Sequence, residues 1–217
     1  MTDKATGNER VYHAIRWEIL AGDRRPGEPL KTAELCKRFE SSVGVVRESL
    51  LRLAEHGLVQ VRPMQGFRVP ELSVDDLRDL TEARLDIETL ALRYAVTQGD
   101  ARWESQLVGA HHLLTVTPRR DDSGKRYSPE WGKAHGAFHV ALIAGCRNHR
   151  ILGIANRLRD TAELYRRWSV AADVTTRDSA AEHRALLDAA LARDADLAVD
   201  LLGKQIRATH DVLSQHL

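Results

Sequence analysis

Three histidines carry the most distinctive chemistry in this sequence of 217 residues. His135 and His139 stand four apart in a segment whose apolar stripe is Trp131, Ala134, Phe138 and Leu142. At helical spacing both imidazoles fall on or beside that inward face. His183 falls in a second stripe, with Ala180, Leu187 and Leu191, and a third segment brackets Gln205 with Ala198, Leu202, Thr209 and Val212. A lone inward histidine is most often a satisfied core residue. Three of them each need a partner in a dry interior, and one divalent metal ion satisfies all three. A set of three histidines suits zinc or nickel and leaves a coordination position open.

Arg84 sits in the middle of another stripe, Leu77, Leu80, Ile87, Ala91 and Tyr94. A buried guanidinium needs an anion. Glu88, one turn on, can supply it internally; the alternative is a bidentate grip on a ligand carboxylate. Tyr165 and Arg166 are weaker candidates for the same ligand. His111 and His112 are adjacent and so face different directions, which lets at most one of them line a pocket.

A second constellation lies near the N-terminus. Arg47 is placed one turn into a predicted helix, where it can reach a phosphate or a guanine edge. Ser41 and Ser42 stand at that helix start, where hydroxyls and free N–H groups meet phosphates. Gln65, Gly66 and Arg68 occupy a predicted β-hairpin, and residues 58–70 hold two arginines and no acid. Read from charge alone, Arg47 and Arg52 are ordinary solvated helix charges. The arrangement around them argues otherwise.

The elements that position these residues follow from periodicity and punctuation. Helices are predicted over 8–21 (Val11, Ala14, Ile15, Ile19 and Leu20 inward), 32–39 (Leu35, Cys36, Phe39) and 42–56 (Val46, Leu50, Leu51, Leu53, Ala54). Gly22 and Pro26-Gly27 break the first, and Gly57 caps the third. Residues 58–61 and 67–69 alternate as strands around a tight loop at Arg62–Gly66. Two short helices with a tight turn and then a two-stranded wing make a winged helix-turn-helix, whose third helix enters the major groove. Pro70 to Leu72 marks a boundary, giving domains 1–72 and 73–217. Ser73 with Asp76 reads as the next helix start. Helices then follow over 74–98, 101–117, 129–145, 149–171, 176–193 and 195–215, with Ser128-Pro129-Glu130 a strong start and 118–127 the longest loop. With almost no strand signal after residue 70, this half is an antiparallel all-α bundle of six to seven helices.

The run RPGEPLKTAELCKRFESSVGVVRESLLRLAEHGLVQVRPMQGFRV resembles the GntR-family signature throughout, and the likeness covers nearly all of residues 11–70. It implies DNA contacts at Ser42, Arg47 and the Gln65-Gly66 wing. The sequence departs from it at Val43, where many members carry a base-reading arginine, and at Gly44-Val45, where they carry Thr-Pro. The stretches LTEARLDIETLALRYA, AFHVALIAGCRN and EHRALLDAALARDADLAVDLL resemble the FCD-type effector domain of the FadR subfamily, over roughly 74–214. Its metal positions correspond to His135, His139, His183 and Gln205, with His135 in place of an aspartate and Gln205 in place of a histidine. The runs GDARWESQLVGAHHLL and ELYRRWS look closest to a branch controlling catabolism of small carboxylic acids, glutarate-type diacids among them. The resemblance thus implies a ligand-responsive regulator of bacterial catabolic genes, acting as a homodimer on a palindromic double-stranded DNA operator and sensing a small carboxylate.

Composition sets bounds on this reading. Hydrophobic residues are 43% and charged residues 29%, enough to bury a core. No apolar run reaches the length of a membrane span, and MTDKATGNER has no apolar signal region. Cys36 and Cys146 fit no metal or redox spacing and read as core thiols in a reducing cytoplasm. Net charge is +1, and residues 1–72 carry 12 Lys/Arg against 10 Asp/Glu, so electrostatics alone does not announce nucleic acid. A metalloenzyme on a helix bundle would want a His-Glu-x-x-His or Glu-x-x-His pair, and neither occurs. A metal-free regulator binding an acyl thioester leaves the histidine cluster without a purpose.

Overall fold

The structure, a computed structural model, describes residues 2–120, 128–169, 179–215 and 217. It divides into two compact units, one of residues 1–74 with 157–168, the other of residues 75–156 with 169–217. The last seven residues of the predicted 118–127 loop, the end of the 149–171 helix and the start of the 176–193 helix lie outside the described residues.

The first unit opens with α1 (Thr2–Leu20), α2 (Thr32–Phe39) and α3 (Val43–Glu55). Helix α1 begins well before the predicted residue 8, because nothing in residues 2–7 breaks a helix: there is no proline, and the one glycine is tolerated. Val11, Ile15 and Ile19 of α1, Leu35 of α2 and Val46, Leu50 and Leu53 of α3 form the core. Leu51, predicted inward, is exposed instead; position 50 already occupies that turn's inward direction. Ser42 caps α3, its Oγ accepting from the Val45 N–H at 3.4 Å. Beyond α3, Gly57 takes φ +74°, a left-handed conformation that costs glycine nothing.

The wing is an antiparallel pair, β1 (Gln60–Arg62) and β2 (Gly66–Arg68), in the register Gln60–Arg68, Val61–Phe67 and Arg62–Gly66. It starts two residues later than predicted, since Leu58 and Val59 are consumed by the core. Pro29 adds an isolated bridge to Arg68. This core also takes Leu164, from the second half of α7 (His149–Ser169). Within the same unit Asp160 pairs with Arg16, and the Tyr165 hydroxyl lies 3.2 Å from both the N–H and the carbonyl of Ser73.

Helices α4 (Val74–Gln98), α5 (Ala101–Val116), α6 (Pro129–Ile143), the remainder of α7, α8 (Ser179–Leu191) and α9 (Ala195–Ser214) make an all-α bundle. Asp100, Ser128 and Asp194 cap α5, α6 and α9 through side-chain oxygens. Pro129 sits at the start of α6, where its missing N–H costs nothing. The core runs through Ala91, Leu92 and Ala95 of α4, Trp103 and Leu107 of α5, Phe138 and Leu142 of α6, Leu186 and Leu187 of α8, and Leu202 and Ile206 of α9. On α8 the stripe is rotated from the predicted one. Ala180 and Leu191 are exposed, while Leu186 and Ala190 are buried. His183 keeps its place inside.

Candidate functional site

The three histidines are brought together. His135 and His139 project from successive turns of α6, and His183 meets them from α8. One ring nitrogen from each lies within 4.8 Å of the other two. Ring centroids are 4.6 Å apart for His135–His139, 5.1 Å for His135–His183 and 5.2 Å for His139–His183. His139 is 7% exposed and His183 3%, while His135 is half-buried. Trp131 stacks on His135 at 4.9 Å, and Phe138 closes edge-on against His139 and His183. An apolar wall around converging imidazoles raises the cost of leaving their nitrogens unsatisfied and strengthens any ion they hold. The donor set fits a borderline-soft divalent cation. Gln205 is half-buried on α9.

Arg84 is mostly buried on α4, and its Nε donates to Glu88 Oε1 at 2.6 Å. Glu88 is 1% exposed, so the internal anion weighed from the sequence is present. The two terminal amines of Arg84 bond no other described residue. Tyr165 and Arg166 belong to the first unit and Arg84 to the second. The Tyr165 hydroxyl meets Ser73, and Arg166 is forked onto Glu163 at 2.6 and 2.7 Å. Leu164, between Glu163 and Tyr165, is buried in the winged-helix core. His111 stands edge-on to Phe138 at 5.5 Å. Burial, helped by the nearby Arg184 guanidinium, holds its pKa below the ordinary 6.5.

The other site is a surface. Arg47, Gln65, Gly66 and Phe67 line a cleft of about 250 Å³ with Pro29, Leu30, Lys31 and Thr32. Of the predicted residues, Arg47 of α3 and Gln65 and Gly66 of the wing thus share one cleft, while Ser41, Ser42 and Arg68 do not line it. Ser42, Arg47, Gln65 and Gly66 are exposed, Ser41 and Arg68 partly so. Arg47 makes no ion pair among the described residues and lies over the Phe67 ring at 5.9 Å. Arg52, by contrast, is structural: it lies 4.2 Å over Tyr12 and pairs with Glu9 at 2.8 Å. That guanidinium holds the Glu9 carboxyl below its usual range. Arg68 is partly neutralised by Glu71 at 3.4 Å. Lys31 and Thr32, at the start of α2, were missed in the sequence. A threonine opening a helix after a lysine was the available signal, but only the fold brings it beside Arg47.

A winged helix with an exposed reading face, in one chain with a helical bundle holding an interior histidine cluster, defines a DNA-binding transcription regulator that senses a small ligand. Comparison with known proteins makes the assignment narrower. Residues 8–69 match the bacterial regulatory proteins of the gntR family, and residues 79–208 match the FCD domain. The chain is 35% identical over 209 residues to the uncharacterized HTH-type transcriptional regulator BphR of Paraburkholderia xenovorans, spanning 95% of this chain and 85% of that protein. It is 32% identical over 208 residues to the HTH-type transcriptional repressor GlaR of Escherichia coli, spanning 94% of each. Its fold is similar to that of E. coli McbR/YncC, with a TM-score of 0.80 at 21% identity, over 96% of this chain and 97% of that one. The chain belongs to the GntR family and carries an FCD-type effector domain, consistent with the FadR-like subfamily. The family is one of transcription regulators, not enzymes. No described helix is long and apolar enough to cross a membrane.

Proposed function

We propose that this protein is a metal-dependent, carboxylate-responsive repressor of catabolic genes in the bacterial cytoplasm, binding a palindromic operator as a homodimer. The observation that carries the reading is the convergence of His135, His139 and His183 within 4.8 Å. These three residues would hold zinc or nickel, with Gln205 as a fourth ligand, direct or through water. The bound ion would supply local positive charge and, with Gln205 reaching it through water, a position that a carboxylate can take by displacing that water. The chain's own contribution is to orient the three imidazoles against the rings of Trp131 and Phe138.

Arg84 is the second anchor. Glu88 takes its Nε, which orients the guanidinium and leaves the terminal amines for an incoming carboxylate. A pocket with a metal ion as one anchor and this guanidinium as the other would favour a short dicarboxylate or hydroxy acid over a neutral sugar. Repression is the mode carried by the printed name of GlaR, which supports it here by likeness. Two winged helices on a two-fold site raise affinity through effective concentration. Effector binding need only couple to DNA by about 1–3 kcal/mol to matter.

The test is elemental analysis of protein purified without a nickel column, followed by calorimetry with a panel of short dicarboxylates and hydroxy acids. Near-stoichiometric zinc or nickel is expected in the wild type and none in the His139→Ala/His183→Ala variant. A panel member should bind wild type and lose binding in Arg84→Ala, while basal operator binding persists. Metal-free protein with a full effector response would overturn the metal reading. Equal binding by Arg84→Ala would overturn the pocket.

A further inference from the structure

We infer that Val43 reads a thymine methyl group in the operator. The inference rests on the reading of α3 as the recognition helix.

Val43 is the first residue of α3, directly after the capping Ser42. It is 62% exposed. Its neighbour Val45 packs against the core of the unit, and Val43 does not. Folding therefore gains little from a valine here: the side chain is left in water, and a β-branched residue is a mediocre helix former. Four residues on, Arg47 stands exposed on the same face of the helix. Val43 thus lies on the surface that meets DNA if Arg47 does.

The neighbouring groups leave this position apolar. The Ser42 oxygen is turned to the cap, accepting from the Val45 N–H. Glu48, one turn in, is held by the Asn8 side-chain amide at 2.7 Å. Gly44 adds no bulk; a Cβ there would meet nothing nearer than Ser42 Oγ at 3.9 Å. A helix tip this slender can approach the floor of the groove closely, which a side chain as short as valine requires. Among the base edges in the major groove, the one apolar group is the 5-methyl of thymine. The edges of guanine, adenine and unmodified cytosine would place hydrogen-bonding atoms against two methyl groups, desolvated and unpaired. Thymine is then chosen by contact and the other bases are disfavoured by exclusion.

The experiment uses the full-length protein and a pool of random DNA duplexes, from which bound sequences are selected. An invariant thymine is expected at one position of each half-site. Mobility-shift titration at fixed salt then compares the selected duplex with one carrying deoxyuridine at that position, a change that removes the methyl alone. Binding should weaken about four-fold per half-site, the value of one buried methyl. Val43→Ser should bind the two duplexes equally, and Val43→Arg should move the selected base from thymine to guanine. Equal binding of thymine and deoxyuridine duplexes by the wild type would overturn the inference. So would undiminished discrimination in Val43→Ser, or an unchanged selected base in Val43→Arg. Arg47→Ala separates this failure from that of the underlying reading. If Arg47→Ala leaves affinity for the selected duplex unchanged, α3 is not the recognition helix. If it weakens binding while the wild type ignores the methyl, only the role of Val43 falls.

Discussion

The winged-helix unit and the helical bundle expose their chemistry in opposite ways. On the first, Arg47, Gln65 and Gly66 face solvent, Val43 is largely exposed, and Met64 at the wing tip is 105% exposed on a left-handed turn. In the second, His139 and His183 sit inside the apolar core beside Phe138. A surface that meets a macromolecule is satisfied by water until its partner arrives, so its side chains need no internal support. An interior polar cluster has no such reserve and must be satisfied from within. The surface site should therefore tolerate substitution with little loss of stability, whereas the interior site should couple function to folding.

The strongest test of that contrast is Phe138→Ala. Phe138 is fully buried and touches the rings of His111, His139 and His183. Its removal should cost about 3–5 kcal/mol, as for other large-to-small core changes, and lower zinc or nickel retention in the same protein. Urea unfolding monitored by circular dichroism, with elemental analysis on the same samples, reads both. A variant that loses stability but keeps full metal would show that the wall and the histidine cluster are independent, and the contrast would break.

The contrast also explains what the sequence made legible. The residues predicted to contact DNA lie within one contiguous stretch, so cap and hairpin chemistry foretold the helix start at Ser42 and the strand pairing at Gly66 without a fold. The histidines come from two helices, yet four-residue spacing on α6 and an inward position on α8 foretold their meeting. Periodicity failed where it had to choose between adjacent directions: Leu51 and Ala180 turned outward, and Leu186 took an inward place. Position in space was beyond it altogether. Nothing in the residues of α7 announces that Leu164 completes the winged-helix core, because an amphipathic helix looks the same whichever core it joins. For that reason the sequence does not foretell that the Tyr165 hydroxyl meets Ser73 or that Arg166 pairs with Glu163. Lys31 and Thr32 went unnoticed for the same reason, being distant in sequence from the wing they adjoin.

A smaller effect sharpens the account of the first unit. Gly57 holds φ +74°, and a Cβ added there would lie 2.7 Å from Thr161 Oγ1 of α7. Gly57→Ala should cost about 1–2 kcal/mol for the left-handed backbone, with a further penalty from the clash. In a Thr161→Ala background only the backbone part should remain. A double-mutant cycle from thermal unfolding measures the coupling. Strict additivity would mean that this part of α7 does not pack on α3 as the structure shows.

The smallest effect concerns His111, which borders the bundle core without joining the histidine cluster. Burial lowers its pKa, the Arg184 guanidinium adds to that, Asp188 opposes it, and His112 contributes weakly in the same direction as Arg184. The folded protein therefore favours neutral His111. Above the ordinary value of 6.5 the ring is neutral in both states, and it neither adds nor removes stability. As pH falls through 6.5 the unfolded chain takes up the proton first, so each step down in pH favours unfolding. The loss continues until the lowered folded pKa is passed and then levels off. His111→Gln should consequently flatten the stability profile on the acid side of the ordinary 6.5, down to the lowered folded pKa, leaving the neutral side parallel to wild type. Urea titrations in chelator make the measurement, since stripping metal leaves the cluster of His135, His139 and His183 to contribute alike in both proteins. A variant whose profile keeps the full wild-type slope would place the acid sensitivity elsewhere and remove His111 from the account.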